Sequence, residues 1–138
     1  FDAKSAAELE RRGAARLVAF HTDDWITDSR FFLRSAALAV RYGLSRETAL
    51  AGLTINGARM LDLDARIGSL EVGKDADFVV LSGDPLSVYT RVLETWVDGS
   101  KVFDLANDED RLYAEGGWGA GQNRAPLICC QLGGGDAR

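Results

Sequence analysis

Arg16-Leu17-Val18-Ala19-Phe20-His21-Thr22-Asp23 is the stretch on which the fold turns. Arg16 to Phe20 is a short, mostly apolar run, and three polar residues end it abruptly. A helical pattern and a glycine precede it. A run of this kind reads as a strand buried on both faces of a parallel sheet. Side chains alternate along a strand, so His21 and Asp23 are expected on one side and Thr22 and Asp24 on the other.

The neighbours of this strand set the rhythm. Upstream, Ser5-Ala6-Ala7-Glu8 fits a capping box, with a helix through Arg12 and Gly13 at its C′ position. Downstream, the polar stretch from Thr22 to Asp28 leads into a helix expected from about Ser29 to Tyr42. Phe32, Ala36, Ala39 and Val40 form its apolar stripe, and Gly43 stops it. Ser45 caps a third helix, with Glu47 in the first turn where the helix dipole favours an acid. Leu50, Leu53 and Ile55 supply its apolar side. Asn56 reads as the cap of a further turn carrying Met60 and Leu61.

Helix, buried strand, polar loop, helix, helix is the rhythm of a β/α barrel or a doubly wound sheet. A buried parallel strand needs neighbours on both sides, and no second strand of that type stands out. A complete barrel takes about 250 residues, against 138 here. The expectation is that most of the sheet lies outside this chain. Phe1 in place of a Met fits a processed chain or a fragment.

The character changes near Asp64, where glycines begin to punctuate short segments. Asp77 to Leu81 reads as a strand. Val92 to Val97 reads as another, Asp98-Gly99 as a two-residue hairpin turn, and Lys101-Val102-Phe103 as the return. From Asn107 the chain reads as a polar, Gly-rich tail packing across a surface. Gly116-Gly117-Trp118-Gly119-Ala120-Gly121 lacks the preceding strand, the spacing and the lysine of a phosphate loop.

Composition bounds the function. Apolar residues make up 46% and charged residues 27%, a globular balance, and the net charge is −5. With no basic stripe, nucleic-acid binding is not expected. No apolar run approaches the ~20 residues that span a bilayer, and no signal-peptide pattern appears. A cytoplasmic protein without a membrane partner is the default. The two cysteines, Cys129 and Cys130, are adjacent and read as ordinary reduced thiols.

Chemistry concentrates at His21-Thr22-Asp23. A carboxylate at the C-terminal end of a barrel strand can hold a metal, accept a proton, or do both. Asp23, Asp24 and Asp28 can equally begin the next helix, where acids are favoured. His21 is the only histidine, so this chain alone does not supply the several ligands of a catalytic metal site.

Three stretches resemble one family. Val18-Ala19-Phe20-His21-Thr22-Asp23 is the first. The second is Leu53-Thr54-Ile55-Asn56-Gly57-Ala58-Arg59-Met60-Leu61. It is followed by Ile67-Gly68-Ser69-Leu70-Glu71-Val72-Gly73-Lys74-Asp75-Ala76-Asp77-Phe78-Val79-Val80-Leu81. Together they resemble the C-terminal end of the metal-dependent amidohydrolase superfamily, nearest its imidazolonepropionase-like members, from about Leu17 to Phe103.

The resemblance implies an α/β fold: the C-terminal part of a (β/α)8 TIM-like barrel plus part of a small antiparallel β-sandwich. Residues 1–63 are then partial barrel, 64–104 partial sandwich and 105–138 the tail. Leu17 to Phe20 would be the eighth barrel strand and Arg30 to Tyr42 the closing helix. Lys74 and Asp75 would be solvated residues of the turn at Gly73. The implied activity is hydrolysis of a non-peptide C–N bond, in a cyclic amide or related small molecule, by metal-activated water. Asp23 would be metal ligand, catalytic base and proton shuttle. His21 and Thr22 would be structural beside it, and Trp25 a loop residue at the mouth that either touches substrate or shields the loop. The implied cofactor is a divalent metal, zinc first, as one or two ions. Its other ligands would lie upstream with the rest of the barrel, so the chain alone is expected to be inactive. The resemblance leaves a homo-oligomer open. A catalytically inactive scaffold or binding protein is the alternative, and a self-contained α+β interaction module a third reading.

Overall fold

The computed structural model describes residues 4–23 and 29–116. Four helices come first: α1 (Lys4–Arg11), α2 (Phe32–Arg41), α3 (Arg46–Leu53) and α4 (Ile55–Met60). Three strands follow, β1 (Phe78–Leu81), β2 (Val92–Val97) and β3 (Ser100–Asp104), and then α5 (Asp108–Glu115).

The helix signals were local, and most of them work as expected. Ser45 caps α3, its Oγ accepting from Thr48 N–H at 3.1 Å. Gly43, at φ 105°, ends α2. Gly43 N–H returns to Val40 C=O at 3.0 Å and Leu44 N–H to Ala39 C=O at 3.1 Å, the paired bonds of a Schellman ending. Ser29–Phe31 forms a short 3-10 turn leading into α2. α1 begins at Lys4, so Ser5 lies within its first turn. Glu8 points toward the C-terminal end instead of capping, bonding Arg12 at 2.6 Å and Arg11 Nε at 2.9 Å, because charged donors outbid a backbone N–H.

The core is small. Val18, Ala36, Ala39, Leu44 and Ala49 are its buried members, with Phe20, Val40, Leu53 and Leu86 packed against them. Alanines dominate because α2 and α3 approach each other closely. The same closeness corrects the expected apolar side of α3 in part, for Leu53 does pack against the core. The buried residues of α3 are Thr48, Ala49 and Gly52, while Leu50 is exposed.

Leu17 to Phe20 is not a strand. Ala15–Leu17 is a 3-10 turn, Val18 is extended, and residues 18–20 belong to no ladder. The physical reason is the one that made the strand reading demanding: among the described residues there is no parallel neighbour to pair with. Its backbone groups go elsewhere. Val18 N–H donates to Ala15 C=O at 3.2 Å, and Phe20 N–H to Gly52 C=O at 3.0 Å.

The second half is one antiparallel sheet in the order β1-β2-β3. Phe78 opposes Trp96, Val79 opposes Thr95, and Thr95 opposes Phe103. Phe78 and Trp96 stack at 5.6 Å between ring centroids. Asp98 (φ 51°) and Gly99 (φ 71°) turn β2 into β3, both in the left-handed region that a type I′ turn requires. The Arg46 guanidinium grips both oxygens of Asp84 at 2.8 and 2.9 Å, tying α3 to the loop after β1. That pairing, with the Leu86 N–H, holds the Asp84 carboxyl below its ordinary range.

Two further expectations change. Residues 108–115, read as tail, form α5, capped by Asn107 through Glu109 N–H (2.9 Å) and Asp110 N–H (3.2 Å). Lys74 is not solvated: its side chain is 13% exposed, and its Nζ donates to Ser69 Oγ at 2.6 Å and pairs with Glu71 at 3.2 Å. Among the described residues, no helix is long and apolar enough to cross a membrane.

Candidate functional site

His21, Thr22 and Asp23 leave the core at the end of the segment 18–20. Thr22 is half-buried, and His21 and Asp23 are exposed. Asp23 begins a turn at φ 52°. Strand alternation therefore does not govern this end of the segment, and the left-handed turn at Asp23 sets its direction instead. Aspartate tolerates that backbone region better than most residues, because its short polar side chain can hydrogen-bond locally. Asp24, Trp25 and Asp28 lie outside the described residues, as do Cys129, Cys130 and the glycine run from Gly117.

The segment is held from one side by α3 and α4. The Asn56 side chain donates to Val18 C=O at 2.9 Å and Ala15 C=O at 3.1 Å. This revises the reading of Asn56 as a cap. It sits inside α4, buried, and its amide is spent on a segment distant in sequence. The Thr-x-Asn pattern drew attention to the residue, but nothing in the sequence told a capping amide from one reaching across a core.

Metal fit can be judged from the donors present. Among the described residues, no group of three or more His, Cys, Asp and Glu side chains could hold an ion. Asp23 is a single carboxylate in the open, and one carboxylate does not make a metal site. A separate cleft of 700 Å³ runs between the start of α2, the sheet and α5, lined by Phe31, Arg34, Thr95, Phe103 and Tyr113 among others. It includes none of His21 to Asp23. Its carboxylate, Glu115, pairs with Arg91.

With this geometry in view, comparison with known proteins places the chain. The amidohydrolase family model matches residues 17–103, well over half of the chain. The chain belongs to the amidohydrolase family and is imidazolonepropionase-like within it. The imidazolonepropionase of Pseudomonas aeruginosa is 45% identical over 74 residues, covering 51% of this chain and 18% of that protein. Amidohydrolase tasK of Hapsidospora irregularis is 35% identical over 83 residues, covering 60% of this chain and 8% of that one. The crystal structure of an amidohydrolase from Thermotoga maritima superposes with a TM-score of 0.69 at 40% identity, covering 74% of this chain and 26% of that chain. The chain thus spans about a quarter or less of each of these relatives.

Proposed function

We propose that this chain is the C-terminal part of a metal-dependent amidohydrolase that hydrolyses a non-peptide C–N bond, with Asp23 as its working residue. One observation carries the reading. The family match begins at Leu17, the segment that follows is pinned to α3 and α4, and the carboxylate of Asp23 stands free of the core at its end. The imidazolonepropionase relatives point to a cyclic amide as substrate.

Amidohydrolases generally use divalent metals, zinc being the first candidate here, as one or two ions. The described residues hold no group of three or more ligands for such an ion, so the ligands beside Asp23 would come from the rest of a (β/α)8 barrel. Asp23 would accept the proton of the attacking water and return it to the leaving nitrogen, the ordinary work of a positioned carboxylate. Trp25 would touch substrate from the loop. His21 and Thr22 would shape the approach. Residues 64–104 would be part of a sandwich packed beside the barrel, in a cytoplasmic enzyme acting on a small molecule.

Asp23→Asn is the test, made in a protein that carries this chain together with the rest of the barrel. Asparagine also tolerates a left-handed φ, so the backbone is kept and only the proton acceptor is lost. Turnover should fall by about 10²–10⁴-fold. Undiminished turnover would remove Asp23 from the reaction, and no hydrolysis by the unaltered protein would favour the scaffold.

A further inference from the structure

Asn56 is 2% exposed and lies in the first turn of a short helix, yet its side chain does not cap that helix. Its orientation is fixed by chemistry. Nδ2 faces two carbonyl oxygens, those of Ala15 and Val18, and Oδ1 accepts from Arg59 Nη1 at 3.4 Å. Both amide hydrogens are used, on residues 41 and 38 positions away. Aspartate would set acceptor against acceptor, and an apolar side chain would leave both carbonyls unsatisfied.

Gly52 meets the same segment one turn earlier. Its C=O takes the Phe20 N–H. A Cβ at Gly52 would lie 2.9 Å from the Phe20 ring and 3.0 Å from the Val18 oxygen, so the segment closes against bare backbone. Residues 18–20 have no ladder among the described residues, so these contacts determine where the segment lies.

We propose that Asn56 is the positioning residue for Asp23: its amide, drawing the 15–18 backbone onto α4 against the Gly52 contact, sets where Asp23 stands. The proposal rests on Asp23 carrying the chemistry. It also accounts for the spacing of the sequence signature, because Asn56 must reach back from the turn of helix that follows Gly52.

The test uses the isotopically labelled 138-residue chain, read by NMR and amide hydrogen exchange. Asn56→Asp removes the donors, and Gly52→Ala pushes on the segment from the other contact. Gly57→Ala is the control, because it lies in α4 with nothing within 4 Å of the added Cβ. Protection of the Phe20 amide should fall about tenfold or more in the first two variants. The Thr22 and Asp23 backbone signals should shift, while Ala36 and Ala39 keep their protection. Gly57→Ala should change none of these. Unmoved Asp23 signals in Asn56→Asp would overturn the proposal. So would an equal loss at Ala36 and Ala39, which would mean general destabilisation. If Asn56→Asp does not fold, Gly52→Ala decides by the same signals. Because the readout needs no turnover, it is separate from the test of Asp23 in hydrolysis: signals that shift while Asp23→Asn stays fully active would refute the function and leave the positioning contact standing.

Discussion

At the scale of single residues, backbone conformation explains choices that side-chain chemistry does not. The described non-glycine residues with positive φ are Asp23, Asp62 and Asp98, all of the type that visits this region at low cost. Two glycines in the same region separate backbone strain from crowding. Gly68 (φ 90°) has Ala58 Cβ 2.8 Å and Ile55 Cα 3.0 Å from where a Cβ would stand, so residue 68 closes directly onto α4. Gly73 (φ 92°) has nothing within 4 Å. Gly73→Ala should therefore cost only the conformational term, about 1–2 kcal/mol. Gly68→Ala should add an overpacking term of about 1–3 kcal/mol. Urea midpoints of the two variants would compare them, and equal losses would mean that the contact at Ala58 yields freely.

At the scale of elements, α1 and α3 are joined by one carboxylate. Glu10 accepts from Ser45 N–H at 2.9 Å and from the hydroxyls of Ser45 and Thr48. These bonds, the Ser45 hydroxyl first, hold its carboxyl below the ordinary value. A depressed folded value stabilises above the unfolded one, near about 4.3, and the gain is lost as pH falls through the folded value. Wild type should therefore exceed Glu10→Gln in stability at pH 7, and the gap should close as pH drops below about 4.3. Chemical denaturation at several pH values measures it, and a gap independent of pH would show that the charge is immaterial. Elements of this sort were legible in the sequence because their signals are local: the Ser45 cap, the Gly43 stop and the Asp98-Gly99 turn each need only adjacent residues. α5 was equally local, with Asn107 capping and acids filling the first turn, but the surrounding glycines made the region read as tail. Residues 17–20, which read as a barrel strand with its neighbours outside this chain, join no ladder among the described residues. An apolar run does not state what it pairs with, and among the described residues Asn56 and Gly52 are what hold this one. Of the site, the sequence pointed to Asp23 but could not show its turn or the contacts behind it, because those contacts come from residues some thirty positions on.

At the scale of the whole molecule, the contrast is between a well-specified support and a sparse site. The segment before Asp23 is anchored at several points, while the described residues offer an ion no set of three ligands. A divalent metal held by one exposed carboxylate keeps most of its water, and carboxylate attraction in water at 4 Å is worth only about 1 kcal/mol per pair of unit charges. Tight binding needs three or more protein ligands fixed in place. The 138-residue chain, loaded with zinc and passed through gel filtration, should therefore retain far less than one ion per chain by elemental analysis. A longer protein supplying the remaining barrel should retain one or two, and Asp23→Asn there should weaken retention without abolishing the fold. One tightly held zinc on the 138-residue chain would mean that residues within it complete a site by themselves. Asp23 would then have to be considered as part of a different centre.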